Sequence, residues 1–116
     1  MKESILKKKS FLFAIDIINC YKKLSTDREY VLSKQLLRSG TSVGANIREA
    51  QNAQSTKDFI HKLSISQKEC DETMYWIELL QETNYLTPNE AKELLIKATE
   101  LLKMLRSAII TSKKRL

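Results

Sequence analysis

Only two glycines and one proline punctuate the 116-residue chain, and both glycines, Gly40 and Gly44, fall inside an apolar run with helical spacing. A sheet protein must reverse its chain every few residues, and it does so mostly on glycine, proline, asparagine and aspartate. So few glycines and prolines leave room for few tight turns, and what remains is a small number of long helices. With 42% apolar and 29% charged residues the composition is that of an ordinary globular chain. A chain of this length can bury a core without disulfides or a structural metal, so one domain is expected over residues 1–116.

Apolar spacing sets the helix count at four. From Ile5 to Leu24, the residues Phe11, Ile15, Ile18 and Leu24, flanked by Leu12, Ala14, Ile17 and Tyr21, make a broad face expected to enter the core. The polar run from Ser25 to Glu29 ends this helix, and Thr26 with Glu29 has the spacing of a capping box for the next. The second helix, from about Glu29 to Ala53, repeats Leu36, Gly40, Val43, Ile47, Ala50 and Gln54 at alternating intervals of four and three. A glycine costs about 1 kcal/mol against alanine inside a helix, so Gly40 and Gly44 predict the close approach of a neighbour.

Ser55-Thr56-Lys57-Asp58 has capping-box spacing and opens a third helix to about Thr83, with the seam Phe59, Leu63, Ser66, Cys70, Met74, Ile77 and Gln81. The turn before it is so short that the second and third helices must run antiparallel. The fourth helix starts at Thr87 as N-cap, with Pro88 first and Glu90 closing the box. Its seam is Ala91, Leu94, Leu95, Ala98, Leu101, Leu102, Leu105, Ala108 and Ile109. The expected fold is all-α, an antiparallel up-down-up-down four-helix bundle.

Two helices carry a second face. Opposite the seam of helix two stand Val31, Gln35, Arg38, Ser42, Asn46, Glu49 and Ala53, short and hydrogen-bonding rather than rich in lysine and glutamate. On helix three Ile65, Glu69, Glu72, Trp76 and Leu79 repeat at four-three spacing away from the core. Counting from the turn near Gln54, Arg38 lies level with Glu69 and Glu72, because each residue rises 1.5 Å. This is either a bidentate ionic cluster, an ordinary surface ion pair, or a face buried between subunits.

Gln35-x-x-Arg38, then Ser42-Val43-x-x-Asn46-Ile47-x-Glu49, then Lys68-Glu69-Cys70-x-Glu72-Thr73-x-Tyr75-Trp76 resembles the four-helix-bundle family named after the 23S ribosomal RNA intervening-sequence protein. The likeness covers most of the chain and is strongest from Tyr30 to Leu80. It implies a small cytosolic bacterial bundle that assembles as a ring-shaped homopentamer, some members being encoded inside ribosomal RNA genes. A similar bundle is the accessory protein of diversity-generating retroelements, which works with a reverse transcriptase and nucleic acid. The resemblance thus implies self-assembly and association with RNA or DNA, and it brings no catalytic residue. Together with the second faces of helices two and three, that assembly makes Gln35, Arg38, Ser42, Asn46, Glu49, Ile65, Glu69, Glu72, Trp76 and Leu79 the subunit-interface candidates. Where the family commonly has Asn-Ile-Ala-Glu-Gly, this chain has Asn46-Ile47-Arg48-Glu49-Ala50, so helix two should continue past Ala50.

Charge marks a second candidate surface. Lys2, Lys7, Lys8 and Lys9 stand near one terminus and Lys103, Arg106, Lys113, Lys114 and Arg115 near the other; with Glu3 they give that shared end of the bundle +8, against +6 for the whole chain. Lys7, Lys8, Lys9, Lys113, Lys114 and Arg115 are the nucleic-acid-binding candidates, and contact through them should follow backbone charge rather than base sequence. The same residues also read as solvated tails, the more common role of terminal lysines.

Metal chemistry has little to stand on. His61 is the sole histidine, and Asp58-x-x-His61 supplies only one of the two such elements that a di-iron bundle needs. Glu69-x-x-Glu72 and Glu90-x-x-Glu93 have spacings that a metal-dependent nucleotide hydrolase uses, which makes that class the alternative function. No catalytic residue, metal ligand or cofactor is assigned. Cys20 and Cys70 fall on apolar stripes and suit a reducing cytoplasm. The basic, apolar start fails as a signal peptide because Asp16 and Asn19 interrupt it, and no run is long enough to span a membrane.

Overall fold

The computed structural model describes residues 4–116 as four helices: α1 (Ile5–Thr26), α2 (Leu32–Gln51), α3 (Thr56–Glu82) and α4 (Pro88–Lys113). Each packs on its neighbours in sequence and α4 returns to α1, while the diagonal pairs α1/α3 and α2/α4 do not meet among the described residues. That cyclic order is the up-down-up-down bundle, drawn out to 47 × 23 × 19 Å by helices of 20 to 27 residues. Its core runs the length of the rod through Phe13, Ile17, Leu24, Leu36, Val43, Ile47, Leu63, Ile77, Leu80, Leu101 and Leu105.

The helix ends follow local chemistry. Thr87 accepts the Glu90 N–H at 3.1 Å while the Glu90 carboxylate accepts the Thr87 N–H at 2.9 Å, the reciprocal box that the sequence predicts. Ser55 caps α3 by accepting from the Asp58 N–H, but the Asp58 carboxylate reaches back one residue further, to the N–H of Gln54. Gln54 therefore belongs to the turn and not to the seam of α2. The expected box between Thr26 and Glu29 does not form. Thr26 stays in α1 and donates to the Lys22 carbonyl, whereas Glu29, buried, accepts the Ser33 N–H at 2.6 Å and its own carbonyl takes the Ser33 hydroxyl at 2.7 Å. α2 consequently starts at Leu32, three residues later than the spacing suggests.

The helix exits at Arg28 and Asn84 use the left-handed region, φ 64° and 67°, without a glycine. In both, a six-to-one hydrogen bond closes the turn, from Glu29 N–H to Leu24 and from Tyr85 N–H to Leu80, each at 2.9 Å. The glycines are spent inside α2 instead. A Cβ on Gly40 would sit 2.7 Å from Ile17, and one on Gly44 would sit 3.3 Å from the Ser10 carbonyl oxygen. Both glycines thus let α1 lie close against α2, as the propensity argument requires.

That contact turns α1 over relative to expectation. The face that enters the core is Ser10, Phe13, Ile17 and Leu24, while Phe11, Leu12, Ile15 and Ile18 are 58%, 50%, 41% and 36% exposed. The α2 seam from Leu36 to Ala50 and most of the α4 seam are buried as the spacing predicts. Small buried polar groups fix the register of α2 on α3: Thr73 donates to the Ser39 hydroxyl at 2.9 Å, and Ser66 to the Val43 carbonyl at 2.8 Å. Three ion pairs, Lys9–Glu100, Asp16–Lys97 and Lys23–Glu90, tie the outer edge of α1 to α4. Each pair is substantially solvated and worth under about 1 kcal/mol, so they align the helices more than they stabilise them.

Candidate functional site

The first site is the end of the bundle where α1 begins and α4 stops. Lys7 and Lys8 are exposed on the first turns of α1 and, with Phe11, Ala14, Gly44 and Arg48, line a groove between α1 and α2 that reaches Gln51. Lys113, Lys114 and Arg115 close α4, and Arg115 borders a hollow shared with Gln51 and Ser55, so both basic groups stand beside the α2–α3 turn. Lys9 is set apart from the other five: its ammonium holds Glu100 at 2.8 Å. Lys2 and Glu3, counted with this end in the sequence, lie outside the described residues.

Arg48 is the member that sequence reasoning missed. Gly44 faces α1, and a residue one turn further along α2 shares that side, so the signal was present in the helical register. Phe11 changes character as well. At the edge of the core it would be shielded; it is instead exposed where the groove opens beside Lys7 and Arg48.

The second site is the ionic cluster of α2 and α3. Arg38 donates through Nη1 to Glu69 at 3.0 Å and through Nη2 to Glu72, and the Trp76 indole N–H donates to the same Glu72 oxygen at 3.2 Å. The pairing is formed within one chain. Arg38 is about half exposed, while Ile65, Glu69, Glu72, Trp76 and Leu79 are all half-buried by their own bundle. Along α2, Ser42 donates to the Arg38 carbonyl and Asn46 to the Ser42 carbonyl, so this short polar face is satisfied by its own helix. Glu49 accepts from Lys62 at 2.9 Å, and that hydrogen bond raises the Lys62 pKa above its ordinary value. Gln35 is exposed on the same side.

Three of the four carboxylates that suit a hydrolase are already engaged, and the fourth, Glu93, stands exposed. Glu69 and Glu72 hold Arg38, and Glu90 is held by the Thr87 N–H and Lys23, which together lower its pKa. Asp58 is spent on Gln54, and His61 stands exposed. Among the described residues no three His, Cys, Asp or Glu side chains converge as a metal cluster would. Burial pushes the Cys20 thiol up to about 11 and the Cys70 thiol up to about 12, so neither is a ready nucleophile. No helix among the described residues is long and apolar enough to cross a membrane.

Comparison with known proteins agrees with this geometry. The model of the 23S rRNA-intervening sequence protein family matches residues 2–107. A solved structure from Bacteroides thetaiotaomicron, described as a protein with unknown function from the S23 ribosomal protein family, superposes with a TM-score of 0.90 at 52% identity; the match covers 90% of this chain and 98% of that one. No curated protein matches.

Proposed function

The chain belongs to the 23S rRNA-intervening sequence protein family, and from that premise we propose that it is a non-enzymatic homo-oligomeric bundle, a scaffold or accessory protein that holds RNA or DNA at its basic end. One observation carries the nucleic-acid half of the proposal. Lys7, Lys8 and Arg48 surround a groove between α1 and α2, and Lys113, Lys114 and Arg115 lie at the same end. None of these six cations has an ion-pair partner among the described residues. The resemblance to ring-forming members supports a pentamer, which would repeat the basic end once per subunit on one rim and multiply a weak contact by avidity.

The test is binding of a fluorescent single-stranded RNA and a DNA duplex across a salt series. Affinity should fall steeply with salt, with a logarithmic slope of about −0.7 per phosphate contact on a single strand and about −0.9 on duplex DNA. Replacing Lys7, Lys8, Lys9, Lys113, Lys114 and Arg115 with glutamine should flatten the slope while helicity and mass stay unchanged, and Arg48→Gln should add to the loss. No binding at about 50 mM salt, or a slope untouched by these replacements, removes the nucleic-acid role. Light scattering tests assembly. A single-chain mass at micromolar concentration refutes it, and Trp76→Glu should dissociate the oligomer by setting an unpaired charge in the α2/α3 face.

A further inference from the structure

The bundle leaves an exposed apolar row on α1 without a partner among the described residues. Phe11, Leu12, Ile15 and Ile18 form one continuous stripe over two turns, each at least a third exposed, with Lys8 and Lys22 exposed at its two ends. α1 as a whole carries five lysines against one aspartate, a net +4. α3 stands at the opposite corner of the bundle and carries three lysines against six carboxylates, a net −3. On its outer side Tyr75 is 56% exposed, with Asp71 and Glu78 exposed beside it and Trp76 half-buried next to it.

Resting on the oligomeric proposal above, we infer that the α1 stripe of one copy docks on the Tyr75–Trp76 side of α3 in the next copy, head to tail. Leaving out the groups paired within the bundle, α1 keeps Lys7, Lys8 and Lys22, and α3 keeps two lysines against four carboxylates. Pairing α1 with α1 or α3 with α3 would set like charges together, whereas α1 on α3 joins an apolar basic face to an aromatic acidic one. Because the two faces lie on different corners, the contact is heterologous, and such contacts build rings when the rotation closes. Both faces lean toward α2: Phe11 borders the α1/α2 groove, and Trp76 reaches the Glu72 that Arg38 of α2 holds. The two contact directions therefore enclose less than a straight angle on the α2 side, so successive copies turn in one sense, with α2 on the inner side of the curve.

Ile15→Glu and Tyr75→Glu test the inference, both positions being exposed enough to accept the charge without entering the core. Phe11→Glu, at a still more exposed position, is the second α1 variant if the first loses helicity. Each variant alone should have the mass of one chain at micromolar concentration, with far-UV circular dichroism unchanged. Mixed one to one, the Ile15→Glu chain still has its α3 face and the Tyr75→Glu chain its α1 face, so the mixture should form a heterodimer and stop there. A folded Ile15→Glu or Phe11→Glu chain that keeps the wild-type oligomeric mass overturns the inference while leaving the oligomer intact. A Tyr75→Glu chain that still assembles while the α1 variants dissociate points to an α1–α1 contact and also overturns it. A monomeric wild-type chain overturns both this inference and the oligomeric proposal.

Discussion

Replacing Gly40 by alanine sets two opposing effects against each other at one position. Alanine gains about 1 kcal/mol over glycine in a helix interior. The new methyl group, however, would lie 2.7 Å from Cγ2 of Ile17, 2.8 Å from Cγ1 and 3.1 Å from Cβ. These are the root atoms of a fully buried β-branched side chain, which has one strongly preferred χ1 in a helix, so it cannot swing aside. Relief requires moving α1 off α2, and overpacking of this kind costs about 1–3 kcal/mol. The net expectation for Gly40→Ala is a loss of about 1 kcal/mol. Gly44→Ala is the internal control: its nearest neighbour is the Ser10 carbonyl oxygen at 3.3 Å, a few tenths of an ångström too close, so it should keep or slightly exceed wild-type stability.

Urea unfolding followed by circular dichroism, at fixed protomer concentration, measures both. A cycle with Ile17→Ala isolates the clash. Ile17→Ala alone should cost about 2–5 kcal/mol, but in that background Gly40→Ala meets only the remaining Cβ at 3.1 Å, fills part of the cavity and should be stabilising by up to about 1 kcal/mol. Gly40→Ala that stabilises the wild-type chain by its full helix-propensity gain, or that shows no coupling to Ile17, would refute the close approach of α1 and α2.

Arg38→Ala and Glu72→Gln should couple by about 0.5–1 kcal/mol in a double-mutant cycle, the coupling shrinking with added salt, because the pair is half solvated rather than buried. Glu29→Ala removes the carboxylate that caps α2 at Ser33 and should cost about 1–2 kcal/mol in the same unfolding assay, with Glu29→Gln losing less because it keeps an acceptor. The lowered pKa of Glu90, caused first by the Thr87 N–H, means its contribution is present above the ordinary glutamate value and is lost as pH falls through the folded one. Thermal melts should accordingly show a smaller acid-induced loss in Glu90→Gln than in the wild-type chain. With their pKa values pushed up to about 11 and about 12, Cys20 and Cys70 should react with a thiol reagent at pH 8 far more slowly in the native protein than in urea, Cys70 being the slower.

Where a single helix carries one apolar stripe against polar flanks, the sequence shows both the element and its buried face. α2 and α4 are such helices, and Leu36, Val43, Ile47, Leu94, Ala98, Leu101 and Leu105 are buried where their spacing puts them. Arg38 with Glu69 and Glu72 was legible for a related reason: antiparallel helices joined by a short turn translate sequence distance into height. What spacing could not supply is competition between local partners. Thr26 and Glu29 have the interval of a capping box, yet Thr26 completes α1 through Lys22 while Glu29 finds Ser33. Arg48 shares the side of Gly44, but its part in the basic groove shows only once α1 is known to be the helix that Gly44 approaches.

α1 shows why a helix that is apolar on most sides resists such reasoning. Phe11, Ile15 and Ile18 make a row at four-three spacing, and so do Ser10, Phe13, Ile17 and Leu24 within a slightly different arc, so periodicity supports either as the core face. The choice is made in α2, some thirty residues away along the chain. Gly40 opens a notch that admits the branched Ile17, and Gly44 brings the backbone of α1 near enough that only a residue as small as Ser10 fits beside it. Once Ile17 and Ser10 are seated, the arc of Phe11, Ile15 and Ile18 is forced outward whatever its hydrophobicity. The buried face of α1 is thus selected by shape and not by apolar content, and the apolar character of the face left outside has no explanation in the bundle's own packing.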